Sequence, residues 1–155
     1  MKTTHNELIN VLMPTFRELA DMQSKGLVII PHTLIGAISK NMSKLTNIYV
    51  DYNNAKRKLV KHHVKHDNKN QPITLVENGK VKGYDFNDEA AEQEFRTSMN
   101  EFLDSEFEFT GFKMNEQDVM RVDNFPVSVL STLQQFDMLT PLHEPILMNP
   151  IMGKA

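Results

Sequence analysis

PHTLIGAISKNMSKLTNIYVDYNNAKRKLVKHHVKH, residues 31–66, decides how the rest of the chain is read. Ile35, Ile38, Met42, Leu45, Tyr49, Tyr52, Lys56, Leu59 and His63 recur at alternating intervals of three and four. That spacing sets side chains in one stripe along a helix. With Pro31 in the first turn, it predicts a single helix from Pro31 to about His66, roughly 50 Å long. The stripe lasts about four heptads, the pattern of a coiled-coil seam. A helix of this length outruns what a small domain covers by itself. Its seam needs other helices, supplied by this chain or by a partner, and a second copy would make the chain an oligomer.

Working outward toward the start, residues 6–24 read as a helix. Thr4 and Glu7 have the spacing of a capping box, and Leu8, Val11, Leu12, Phe16, Leu19 and Met22 make one apolar face. Pro14 is expected to kink this helix, or else the helix proper begins there. Gly26 supplies the stop, and residues 27–30 form a short extended run.

Toward the other end, residues 67–72 are polar and break the long helix. Residues 73–77 and 80–85 flank Asn78-Gly79, which suits both positive-φ positions of a type I′ turn, so a β-hairpin is predicted over about 73–86. An isolated hairpin is marginal in water and needs a helix or a third strand beside it. Residues 88–105 form the next helix, capped by Asn87, with Phe95, Met99, Phe102 and Leu103 on its apolar face. Residues 106–114 alternate Phe107 and Phe109 against Glu106 and Glu108, which makes them the candidate third strand. A short helix capped by Asn115 and a last helix from Pro126 to about Leu139 follow. From Thr140 the chain changes character: Pro141, Pro145 and Pro150 punctuate Ile146, Leu147, Ile151 and Met152, and no regular helix can form.

The expected fold is therefore α+β and predominantly helical. A long central helix packs with two or three others, beside a small antiparallel hairpin or three-stranded sheet. Residues 1–139 form one helical domain with the hairpin as an insertion, and 140–155 an extended arm. Ile38, Met42, Leu45, Phe95, Phe102, Leu130 and Leu133 are the expected core.

The chain has 155 residues, 40% of them apolar and 24% charged, enough for a folded domain that needs no staple. It has no cysteine, which removes disulfides, thiolate nucleophiles, iron–sulfur clusters and cysteine zinc sites. The net charge of −3 is not that of a dedicated nucleic-acid binder. The start has no continuous apolar core, and the most apolar stretch, residues 27–38, is shorter than the roughly 20 residues of a membrane span. No membrane association is expected.

Local chemistry concentrates at the end of the long helix. His62 and His66 are four apart, a spacing that on a helix can hold a transition metal. No glutamate follows His62 and no third ligand is identifiable, so no metal or other cofactor is assigned. Lys56, Arg57, Lys58, Lys61 and Lys65 form a basic run that could neutralise phosphates. The competing reading is intramolecular: Asp85, Asp88, Glu89, Glu92 and Glu94 open the following helix and would pair with it. Lack of aromatic interleaving favours that pairing. Tyr49 and Tyr52, at seam spacing, read as helix–helix or interaction contacts. The chain has no GxSxG, Walker A or GxGxxG motif and no nucleophile beside a base, so the expectation is that it is not an enzyme.

Asn6-Glu7-Leu8-Ile9-Asn10, Ile38-Ser39-Lys40-Asn41, the run 52–59 ending in Arg57-Lys58-Leu59, and Asp85-Phe86-Asn87-Asp88 follow one another in an order that resembles small, mostly uncharacterised proteins of tailed bacteriophages. The resemblance covers about residues 5–139 and excludes the proline-rich arm. It implies a phage origin, a location in the host cytoplasm or the virion, and a helical interaction protein, and it transfers no active site. The functional expectation is a protein–protein interaction module. It would be either a virion component or assembly factor, or an inhibitor of a host protein, with Tyr49, Tyr52, Ile146, Leu147, Ile151 and Met152 as contacts. The alternative is a nucleic-acid-binding accessory protein using residues 56–66.

Overall fold

The structure is a computed structural model and describes residues 1–140. In chain order its elements are β1 (Lys2–Thr4), α1 (His5–Glu7), a π-helical turn (Leu8–Leu12), α2 (Met13–Ser24), α3 (His32–His63), β2 (Thr74–Glu77) and β3 (Lys80–Tyr84). There follow α4 (Glu89–Asp104), β4 (Glu106–Glu108), β5 (Met114–Asn115), α5 (Glu116–Met120), α6 (Val127–Gln135) and β6 (Leu139–Thr140). This is the expected α+β, predominantly helical class with a long helix. The chain divides into two compact units. The first is Met1–Asn47 with the described residues from Glu106 onward, and the second is Ile48–Ser105.

In the first unit, the Thr4 hydroxyl accepts from the Glu7 N–H at 3.1 Å and caps the entry to the first helix. Pro14 has no N–H, and in a regular α register its ring would meet the Asn10 carbonyl. The residues ahead of it are wound instead as a π turn, in which the Met13 N–H reaches back to the Leu8 carbonyl. The helix proper starts at Met13, with Pro14 in its first turn. It ends in a Schellman motif: Leu27 N–H donates to Met22 O at 2.9 Å, Gly26 N–H to Gln23 O at 3.0 Å, and Gly26 takes φ +73°.

Leu8, Leu12, Phe16 and Leu19 are fully buried, and each such side chain contributes roughly 1.5–3 kcal/mol. From α3, Leu34 and Leu45 join them, and so does Asn41, which is 0% exposed. The Asn41 amide grips the backbone of one residue, Phe112, on both sides of its Cα. Its Nδ2 donates to the Phe112 carbonyl at 2.9 Å, and its Oδ1 accepts from the Phe112 N–H at 2.7 Å. Lys44 donates to the Thr110 carbonyl one residue pair away, with its ammonium over the Phe112 ring at 4.9 Å. Gly111, next to this clamp, has no room for a side chain, because a Cβ there would clash with the Met138 sulfur.

Two expectations change here. The strand after the acidic helix is not the third strand of the hairpin: β4 pairs antiparallel with β1, Thr3 opposite Phe107. Three residues ahead of a helix cap are too few to show alternation, so β1 left no sequence signal. The last helix stops at Gln135 rather than near Leu139. Asp137 takes φ +54°, and Met138 N–H returns to Leu133 O at 2.9 Å, a second Schellman motif with aspartate where glycine is usual. The chain then extends, and β6 pairs in parallel with β5, Met114 opposite Leu139. Asn115 caps α5 as expected, accepting from Gln117 N–H at 2.9 Å.

In the second unit, α3 ends at His63, three residues short of the expected stop, because Asn87 caps it from outside. The Asn87 N–H donates to His63 O at 2.9 Å and its side chain to His62 O at 3.3 Å. Asn87 is therefore not the cap of α4; Asp88 is, accepting from Ala91 N–H at 2.7 Å. Beyond His63 the chain is extended. Lys65 N–H donates to Asp85 O, Ile73 N–H to Lys65 O and Asp85 N–H to Ile73 O. Residues 64–66 thus lie beside the base of the hairpin, with single bridges from Val64 to Phe86 and from His66 to Pro72. The hairpin itself, β2 with β3, turns on Asn78 (φ +54°) and Gly79 (φ +76°), as predicted. Val60, Val64, Ala91 and Met99 are buried, and Tyr84, Phe86 and Phe95 pack ring to ring with centroids 5.2–6.3 Å apart.

Of the expected core, Leu45 and Leu133 are buried, whereas Ile38, Met42, Phe95, Phe102 and Leu130 are half-buried. The deepest line of α3 is Leu34, Asn41 and Leu45, turned slightly from the seam.

Candidate interaction surfaces

The extended run expected at 27–30 occurs in the first unit, and the Schellman turn before it fixes its direction. Val28 and Ile30 point inward and are buried. Leu27 and Ile29 point outward and are 54% and 84% exposed. The alternation is that of a half-buried β-strand, yet no strand pairs with residues 27–31 among the described residues. Beside them runs an open groove of about 570 Å³, its far wall formed by Asp118 and residues 121–124. A smaller, apolar groove of about 350 Å³ lies between α2 and α3, where Leu19 and Ala20 face Ile35, Ile38 and Met42. The seam residues Ile35, Ile38 and Met42 therefore line a surface cleft rather than a sealed core.

The second unit carries a surface of different chemistry. Tyr52, Lys56, Tyr84, Phe95 and Arg96 line a cavity of about 320 Å³, and Asn53, Lys56, Arg57, Pro72 and Tyr84 line one of about 240 Å³. The two share Lys56 and Tyr84. The Lys56 ammonium lies over the Tyr84 ring, 5.8 Å from its centroid, and Tyr52 stacks toward Phe102 at 6.3 Å. The hairpin adds exposed apolar side chains, with Leu75, Val76 and Val81 between 51% and 66% exposed.

Placed on this frame, the sequence-predicted residues separate. Tyr49 and Tyr52 are half-buried with ring centroids 5.8 Å apart, and Tyr52 opens into the aromatic cavity. Lys56 and Arg57 line the cavities, while Lys58 and Lys61 are exposed. Lys65 pairs with Asp85 at 3.6 Å and His63 faces Glu94 at 3.8 Å. The expected pairing between basic run and acidic helix thus accounts for one of five cations. Among the described residues Lys56, Arg57, Lys58 and Lys61 form no ion pair. His62 lies in the helix and His66 beyond its end, with Nδ1 2.8 Å from the Val64 carbonyl, so the two do not share a helical face. No group of three potential ligands gathers for a metal among the described residues. Ile146, Leu147, Ile151 and Met152 lie outside the described residues. Sequence reading missed Ile29 as an exposed strand-like position and Tyr84 as the partner of Lys56; Leu27 to Ile30 are apolar throughout, so nothing in the sequence marked which of them face outward.

Among the described residues no helix is long and apolar enough to cross a membrane. Compared with known proteins, the chain matches no family model, no curated protein and no solved structure.

Proposed function

We propose that the chain is a non-enzymatic protein–protein interaction module of phage origin, working in the host cytoplasm or in the virion. The observation that carries this reading is the strand-like edge at residues 28–30, which pairs with no strand among the described residues. Ile29 is 84% exposed on an extended segment beside a groove of about 570 Å³. Such an edge offers main-chain hydrogen bonds to an added strand, and the groove offers room for its side chains. The partner is thus a protein that presents an extended apolar segment. The absence of catalytic motifs from the sequence supports the same reading, as does the order of short motifs that resembles that of small phage proteins. The tail residues Ile146, Leu147, Ile151 and Met152 are proposed as additional contacts.

The test is affinity purification of the tagged chain from bacterial host cells, run in parallel with Ile29→Arg. The variant should keep the circular dichroism of the parent, since the side chain is exposed, and should lose the protein that the parent enriches. Recovery of the same proteins by both would remove the edge as the binding site and the reading with it. Mass spectrometry of purified virions separates the two roles: stoichiometric presence marks a virion component, absence an early protein directed at the host.

A further inference from the structure

We propose that the groove shared by Lys56 and Tyr84 in the second unit binds single-stranded nucleic acid. Bases stack on Tyr84 and Tyr52, and backbone phosphates meet Lys56, Arg57 and Lys61.

Three observations carry the proposal. The first is charge. The intramolecular pairing that would silence the basic run takes up Lys65 alone, at 3.6 Å from Asp85. Lys56, Arg57, Lys58 and Lys61 have no ion-pair partner among the described residues, and residues 52–66 contain no acid. Four unpaired cations within two turns of helix repel one another and hold counterions, which a phosphate backbone would release.

The second observation is the aromatic component that the sequence did not show. Tyr84 comes from the end of the hairpin, some twenty-eight residues after Lys56, and folding sets its ring under the Lys56 ammonium at 5.8 Å. Tyr52 stands one helical turn before Lys56 in the adjoining cavity. Basic side chains interleaved with aromatic faces are the working arrangement of proteins that bind single strands without base readout. The third observation is shape. The two cavities, about 320 and 240 Å³, meet at Lys56 and Tyr84, and Asn53 and Asn100 add amide donors and acceptors at their edges. Duplex would bury its bases away from these rings, so the site favours single strands.

This inference concerns a different unit and a different ligand from the proposed protein partner, and its test uses purified protein, so either can fail alone. The chain has three tyrosines and no tryptophan, so tyrosine emission reports on this unit directly. The full chain is titrated with labelled oligo-dT and oligo-rU of about 20 nucleotides, with heparin as a polyanion that has no bases. Binding should weaken with salt at a log–log slope of about −2, for about three neutralised phosphates. Tyrosine emission should be quenched by both oligonucleotides and not by heparin, and the stronger of the two identifies the natural strand type. Arg57→Ala with Lys61→Ala, both on exposed positions, should flatten the slope by about 1.4. Tyr84→Leu should weaken binding by about tenfold. Absence of any anisotropy change at low salt would overturn the proposal. So would equal quenching by heparin, or unchanged affinity in a Tyr84→Leu variant with parental circular dichroism.

Discussion

Asn41 shows at the scale of one residue how a polar group earns a place in a core. It is fully buried, and its amide satisfies both the N–H and the carbonyl of Phe112. Asn41→Leu would fill similar volume but orphan that N–H and that carbonyl together. Stability measured by urea denaturation should fall by about 1–3 kcal/mol; an unchanged midpoint would mean that water replaces the amide at no cost. Thr3 presents the opposite case. Its side chain is buried, 2% exposed, and its hydroxyl has no partner among the described residues. Thr3→Val keeps the β-branched shape that suits β1 and removes an unsatisfied group, so thermal denaturation should show a gain of about 1 kcal/mol. Neither role was legible in the sequence. Asn41 stands seven residues after Leu34, on the line that proved deepest, but an isolated asparagine on a helix reads as surface until the loop it grips is known.

Elements were legible where local chemistry alone decides them. Thr4, Asn115, Gly26 and the Asn78-Gly79 turn all act within a few residues of themselves, and all were found where the sequence placed them. Errors fell where a distant segment competes. Asn87 has the form of an N-cap, but it stops α3 instead, and Asp88 takes the cap of α4. The third strand went to β1 because pairing partners are chosen across the whole chain. At the end of α6, aspartate holds the left-handed position that glycine fills after α2. Asp137→Gly should relieve that strain. It removes only an exposed ion pair with Lys113 at 3.4 Å, a contact of small worth. The expected gain, by the same denaturation assay, is about 0.5–1 kcal/mol. A loss would mean that the added freedom of glycine in the unfolded chain outweighs the strain.

At the scale of the molecule, the long helix concealed a division. Its three-four periodicity continues through the boundary at residues 47 and 48, so nothing in composition marks where one unit ends. The first unit closes only when β1 meets β4, a pairing across about a hundred residues of chain, whereas the contacts of the second lie within fifty-eight consecutive residues, Ile48–Ser105. Long-range closure of the first kind slows folding relative to local contacts. The proline-rich segment after Thr140 lies outside the described residues. Deletion of residues 141–155 tests its proposed role as a contact arm. Far-ultraviolet circular dichroism and melting temperature should stay close to those of the full chain, while capture of the protein partner should weaken. Because the groove at residues 27–31 would remain, binding should fall rather than vanish, and combining the deletion with Ile29→Arg should abolish it. Full capture by the truncated chain would confine binding to the groove and leave Ile146, Leu147, Ile151 and Met152 without a part in it.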